Sequence, residues 1–149
     1  VNSSELVELT DIDVNEDPVR PELDVEFRTS YGRKIFGLKY KNDIEGIICV
    51  AFCNDLPQSE RELDLISQNA HLRDNANIAV AYTVWSRKRG AGKEIVAKLK
   101  EHIKEKTNIK RIVTLSPLTP MATHFHISNG AKLVQHNATT QNFEYKLDK

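Results

Sequence analysis

Residues 78–85, Ile78-Ala79-Val80-Ala81-Tyr82-Thr83-Val84-Trp85, read as a strand that runs into Arg87-Lys88-Arg89-Gly90-Ala91-Gly92-Lys93. Ile95, Val96, Leu99 and Ile103 then recur at helical spacing, which predicts an amphipathic helix to about Lys106. This strand, basic loop and helix decide how the rest of the chain is read. A helix N-terminus already carries about half a positive charge, so Arg87, Lys88, Arg89 and Lys93 crowded there cost stability unless an anion joins them. Glycines allow backbone N–H groups to approach a ligand closely, and the free amides of a helix start favour negative charge. Two readings stand: a solvated basic turn, or a cradle for a small polyanion. The spacing fits neither G-x-G-x-x-G nor G-x-x-x-x-G-K-[ST], which disfavours a dinucleotide fold and a P-loop.

The whole chain gives that local charge its meaning. It has 149 residues, and 21 basic side chains balance 21 acidic ones. That length predicts one domain over residues 1–149, and a formal net charge of +0 supplies no global field for nucleic acid or an anionic membrane. One short basic run without interleaved aromatics is no nucleic-acid signature either. No apolar stretch approaches the roughly 18–20 residues that span a bilayer. The first residues, Val-Asn-Ser-Ser-Glu-Leu, lack a basic segment followed by an apolar run, so no signal peptide and a cytoplasmic location are expected. Cys49 and Cys53 share one apparent strand, about 13 Å apart. That is beyond disulfide reach, and reduced thiols are expected. His124 and His126 diverge on a helix and no Cys/His zinc spacing occurs, so no metal is expected.

Working outward, residues 5–14 suggest a first strand, best over 6–9, and a short helix is predicted from Pro21. Residues 34–40 and 44–52 form a hairpin pattern across Lys41-Asn42-Asp43, and the second of these strands is almost continuously apolar, as for a strand covered on both faces. Ser59 with Glu62 is a capping box for a helix over 59–68. Residues 109–115 read as a strand. Thr119-Pro120 opens a short helix that Gly130 closes, and strands follow at 132–135 and 142–147. The sum is a mixed α/β fold.

Arg87-x-x-Gly90-x-Gly92 resembles the R/Q-x-x-G-x-G/A signature of the GNAT N-acetyltransferase superfamily. A register starting at Arg89 also gives R-G-x-G, but it puts Glu94 at the sixth position and misaligns the apolar helix face. The resemblance implies a GNAT acyl-CoA-binding fold: a mixed, mostly antiparallel sheet flanked by helices, whose central strands 78–85 and 109–115 splay apart. It implies that Arg87, Lys88, Arg89, Gly90, Ala91, Gly92 and Lys93 hold the coenzyme A pyrophosphate. Tyr82, Thr83 and Val84 would offer main-chain contacts to the pantetheine arm. The implied cofactor is a coenzyme A thioester, acetyl-CoA or malonyl-CoA, without a metal.

A second constellation lies downstream, Thr114-Leu115-Ser116-Pro117 followed by Phe125-His126-Ile127-Ser128-Asn129-Gly130-Ala131. Acetyltransferases of the superfamily commonly read A-x-x-F-Y-x-x-x-G-F here, and His126 stands at the tyrosine position after Ala122 and Phe125. Ser-Pro with Phe-His-x-x-Asn-Gly-Ala is similar to the catalytic domain of malonyl-CoA decarboxylases, whose serine and histidine form the catalytic pair. The resemblance therefore implies Ser116 and His126 as catalytic residues, with Thr119 and Asn129 as substrate-binding candidates. Ser116 would bind the malonyl carboxylate, and His126 would hold it or reprotonate the carbanion. Read without the family, Ser116 ends a strand or starts a turn, and His126 is a surface or satisfied core residue. Two departures stand out: the long helical insertion between the serine and histidine motifs is missing, and Arg89 falls near the place of an acidic loop residue. The expected function is malonyl-CoA-decarboxylase-like. N-acetyl transfer from acetyl-CoA to an amine is the alternative, and a silent module binding acyl-CoA or an acyl carrier protein is the third reading. A homodimer stays open.

Overall fold

Residues 4–148 are described by a computed structural model. In chain order the elements are β1 (Glu5–Leu9), a 3-10 turn (Val14–Glu16), α1 (Val25–Thr29), β2 (Lys34–Tyr40), β3 (Asp43–Cys53), α2 (Glu60–Arg73) and β4 (Ile78–Ser86). There follow α3 (Ala91–Lys106), β5 (Arg111–Thr114), β6 (Ser116–Pro117), α4 (Pro120–Ser128), β7 (Lys132–His136) and β8 (Thr140–Tyr145). The strands form one sheet in the order β1-β2-β3-β4-β5-β8-β6, with β7 on β8. Every pairing among the described residues is antiparallel except β4 with β5.

The unbroken apolar run of β3 has the expected cause. Ile48 and Val50 face α3, where they meet Ile95, Leu99 and Ile103, while Ile47, Cys49 and Ala51 face a second core that contains Leu63 of α2. Both layers are needed to keep such a strand out of water. Caps set the helix starts: Asp24, Ser59 and Thr119 accept hydrogen bonds from the N–H groups of Phe27, Glu62 and Ala122. Among the described residues no helix is long and apolar enough to cross a membrane.

Some expectations change. The first helix begins after Asp24, not at Pro21, because Asp24 supplies the capping acceptor while the Leu23 N–H closes a turn onto the Arg20 carbonyl. Helix α2 continues past Gln68 to Arg73 and stops where Asp74 takes a left-handed conformation, φ 53°. Ser116 lies in a short strand of its own, paired to β8, which the sequence pattern does not announce.

The two central strands separate as expected. β4 and β5 pair from Ile78–Arg111 to Ala81–Thr114, and the Leu115 N–H still reaches the Ala81 carbonyl at 3.0 Å. Val50 opposes Ala81 and Cys49 opposes Thr83, so Tyr82 is an extra residue in β4. Such a bulge bends its strand. β4 continues along β3 to Ser86 while the other arm passes into β6 and pairs with β8. The result is a V-shaped opening with its apex at Tyr82.

Candidate active site

The basic loop closes one end of this opening. Gly90 has φ 86° and is the residue before α3, where it offers no side-chain cap to the first N–H groups. A Cβ on Gly90 would meet nothing within 4 Å. Gly92 is small for a different reason: its Cβ would come within 3.0 Å of Phe125 Cε1, so α4 packs onto the first turn of α3 through this position. Two of the four cations are already matched. Arg87 makes a fork with Glu16, at 2.8 and 2.9 Å, and Lys88 Nζ lies 3.0 Å from Glu45. The Glu45 contact raises the Lys88 pKa. Arg89 and Lys93 are exposed and form no ion pair among the described residues.

The β4 arm is clamped by side chains to which sequence reasoning gave no role. Asp17 is fully buried and pairs with the equally buried Arg28 at 2.8 Å. Its Oδ1 accepts from the N–H groups of Val19 and Arg20 and from Thr83 Oγ1, at 2.8, 3.0 and 2.8 Å. Arg28 also donates to the carbonyls of Leu23 and Arg20, at 2.9 and 2.7 Å. Arg20 Nη1 in turn donates to the Tyr82 carbonyl, so that carbonyl is engaged by protein, and its Nε reaches Glu60 at 3.2 Å. The bulge is thus held at the Tyr82 carbonyl and at the Thr83 hydroxyl by two residues of one segment, Asp17 and Arg20. In sequence, Asp17-Pro18 signals only a break in a strand. Burial pushes the Cys49 thiol up to about 11 and that of Cys53 to about 12, so both are protonated at neutral pH and poor nucleophiles.

Ser116 on the other arm and His126 in α4 are both buried. Ser116 pairs with Gln141, whose side chain donates to Thr123 of α4, so Ser116 faces the layer that holds His126. The two do not bond to each other. Ser116 Oγ lies 2.8 Å from Thr114 Oγ1, and His126 Nδ1 lies 2.7 Å from the Tyr145 hydroxyl. Burial lowers His126 to about 4 and raises Tyr145 far above its ordinary range, so a neutral imidazole meets a protonated phenol. The Tyr145 hydroxyl can donate to Nδ1, and in that tautomer the ring proton sits on Nε2. Thr119 caps α4 and lines a surface cavity of about 800 Å³ that includes neither Ser116 nor His126. Asn129 is the C-cap residue of α4, and its N–H serves the Phe125 carbonyl. The described residues contain no group of three or more metal-type side chains.

The low His126 pKa has a measurable consequence. Above pH 6.5 folded and unfolded states both hold the neutral ring. Between pH 6.5 and about 4 only the unfolded state binds the proton, so unfolding free energy decreases as the pH is lowered, by about 3 kcal/mol across the window. Urea titrations at pH 7 and pH 4.5 on the protein and on His126→Phe test this. The difference attributable to His126 should vanish in the variant.

The fold can be compared with solved structures. The malonyl-CoA decarboxylase of Agrobacterium vitis matches with a TM-score of 0.74 at 16% identity, over 97% of this chain and 61% of that one. The GphF GNAT-like decarboxylase, solved in complex with isobutyryl-CoA, matches with a TM-score of 0.74 at 10% identity, over 97% of this chain and all of that one.

The chain has the GNAT fold.

An acetyltransferase from Thermus thermophilus shares this GNAT fold at TM-score 0.63 and 14% identity, over 97% of both chains. No family model and no curated protein sequence matches the chain. At these identities the likeness is one of GNAT architecture, and the chain spans under two thirds of the Agrobacterium enzyme's length.

Proposed function

We propose that the chain binds an acyl-CoA thioester as substrate and decarboxylates a malonyl group to an acetyl group. The observation that carries this reading is the pairing of one uncapped helix start with two buried side chains, Ser116 on the second arm and His126 in α4. The uncapped N–H groups of α3 with Arg89 and Lys93 suit a diphosphate, and the opening beyond Ala81 suits the pantetheine arm. Loss of CO₂ breaks the bond between the carboxyl and α-carbons and leaves the electron pair as a thioester enolate. A proton relayed from solvent then completes the acetyl group. Thr114 Oγ1 accepts from the Phe143 N–H and can donate to Ser116 Oγ, which frees the Ser116 proton for the substrate; we assign Ser116 to the enolate oxygen and His126 to the α-carbon. A neutral His126 with its proton on Nε2 suits this role because it donates without adding charge to the site.

Acetyl transfer to an amine is the second reading. One observation favours it: Glu60, whose carboxyl is held above its ordinary range by burial and by Glu22, lines a cavity and can accept an amine proton.

Incubation with malonyl-CoA and with acetyl-CoA plus amines, followed by mass spectrometry, separates the two. Acetyl-CoA and CO₂ from malonyl-CoA support decarboxylation, and acetylated amine without them overturns it. For binding, reversing Arg89 and Lys93 to Glu should weaken coenzyme A by more than about tenfold, because charge-assisted contacts are lost. Arg87→Ala should cost less, because Arg87 is already satisfied by Glu16. Calorimetric titration with coenzyme A measures both, and unchanged affinity in the double reversal would put the anion site elsewhere.

A further inference from the structure

A cavity of about 420 Å³ is lined by Val19 and Arg20, by Glu60 and Arg61 of α2, and by Pro117 of β6. Arg20 is 3% exposed and stands at the apex, since Nη1 donates to the carbonyl of Tyr82, the first residue beyond the last β4–β5 pair. We propose that Arg20 is a specificity-determining residue, which receives the carboxylate of a short dicarboxylic acyl thioester, and that Glu60 competes with this carboxylate for the same guanidinium. The inference rests on the acyl-CoA reading above and names the acyl class.

The guanidinium in the wall makes a plain hydrocarbon acyl tail a poorer occupant than a carboxylate. Arg20 commits Nε to Glu60 and Nη1 to Tyr82, while Nη2 makes no hydrogen bond among the described residues. A guanidinium has five donors and its fork matches a carboxylate, so an aliphatic group beside it would leave buried donors unmet. Arg61 adds a second cation to the same wall. A carboxylate already sits there: Glu60 Oε2 is 3.2 Å from Arg20 Nε, and the Glu60 side chain is 40% exposed and free to move aside. Burial and the neighbouring Glu22 raise the Glu60 pKa, which weakens its claim on Arg20.

Competition also suits the chemistry. A malonyl carboxylate gripped too tightly is stabilised in the ground state, and binding of that kind does not speed the step that follows. Glu60 moderates the grip. Replacing it should therefore tighten binding of the acidic acyl group without raising turnover.

The test measures dissociation constants for coenzyme A, acetyl-CoA and succinyl-CoA, the last a dicarboxylic thioester with no β-carboxyl to lose, together with malonyl-CoA kinetics. The intact protein should bind succinyl-CoA at least about tenfold more tightly than acetyl-CoA, in keeping with a bidentate charged contact. Arg20→Gln should equalise the two and leave coenzyme A affinity unchanged, and Arg20→Lys should restore part of the preference. Glu60→Gln should raise the preference for succinyl-CoA by about threefold or more and lower the malonyl-CoA KM without raising kcat. Equal binding of the two thioesters by the intact protein, or a preference that survives Arg20→Gln, overturns the proposal. If Arg20→Gln fails to fold, an unchanged preference in Glu60→Gln overturns it instead. Failure of coenzyme A itself to bind sinks the acyl-CoA reading, and this inference falls with it.

Discussion

Asp17→Ala is expected to lower the unfolding free energy by about 3–5 kcal/mol, since removing one partner of a buried ion pair strands the other. Asp17 and Arg28 are both fully buried, and the nearest alternatives for Arg28 are carbonyls that it already uses and the weak acceptor Cys49 Sγ at 3.5 Å. Thr83 Oγ1 and two backbone N–H groups lose their acceptor at the same time. Against a total stability of about 5–15 kcal/mol for a domain, this is a severe loss. Calorimetry should show a Tm lower by about 10 °C or more. Asp17→Asn, which keeps an acceptor oxygen, should be milder, and Asp17→Ala with Arg28→Met should recover part of the stability because no unpaired charge remains. A single variant within about 1 kcal/mol of the parent protein would show that Arg28 finds other compensation.

His126→Phe is expected to reduce turnover of malonyl-CoA by about 10²–10⁴-fold with coenzyme A affinity unchanged, the range for removing a positioned proton donor. Phenylalanine keeps a ring between Phe125 and Phe143, whose centroids lie 5.1 and 5.3 Å from that of His126, so the packing survives in outline. It leaves the Tyr145 hydroxyl without its partner, at a cost of about 1–3 kcal/mol. Tyr145→Phe in the same chain removes both ends of that hydrogen bond. The double variant should therefore regain stability while remaining inactive. Full turnover in His126→Phe would remove the imidazole from the mechanism, and separate stability curves keep that outcome distinct from a folding defect.

Local signals in the sequence account for most of the fold. The Ser59 and Thr119 caps, the left-handed Gly90 and the two-faced apolar run of β3 each follow from residues within a few positions of one another. The short strand at Ser116 escapes such signals because two residues carry no periodicity, and its partner β8 lies across α4 and β7 in the chain. The start of α1 moves from Pro21 to the residue after Asp24, because the turn at Leu23 comes between them and Asp24 supplies the cap.

The candidate site was legible in a different proportion. Arg87, Gly90, Ser116 and His126 stand out as residue types in a pattern. Which of them remain available to a ligand is a matter of partners far along the chain. Arg87 and Glu16 are 71 positions apart, and Arg20 and Tyr82 are 62 apart. No local rule reports such pairs, because side-chain charge is satisfied in space and not along the backbone.

By itself, then, the sequence determined a mixed α/β chain with a glycine-opened helix start and a balanced charge that conceals one basic cluster. Glycine conformation, capping and apolar period are short-range properties and survive in one dimension. Tertiary structure decided that Arg87 and Lys88 are neutralised, that Gly92 makes room for Phe125, and that His126 is neutral. It also brought Asp17, Arg20 and Arg28 to the apex of the opening. Desolvation and long-range pairing set those outcomes, and both exist only once the sheet has closed around them.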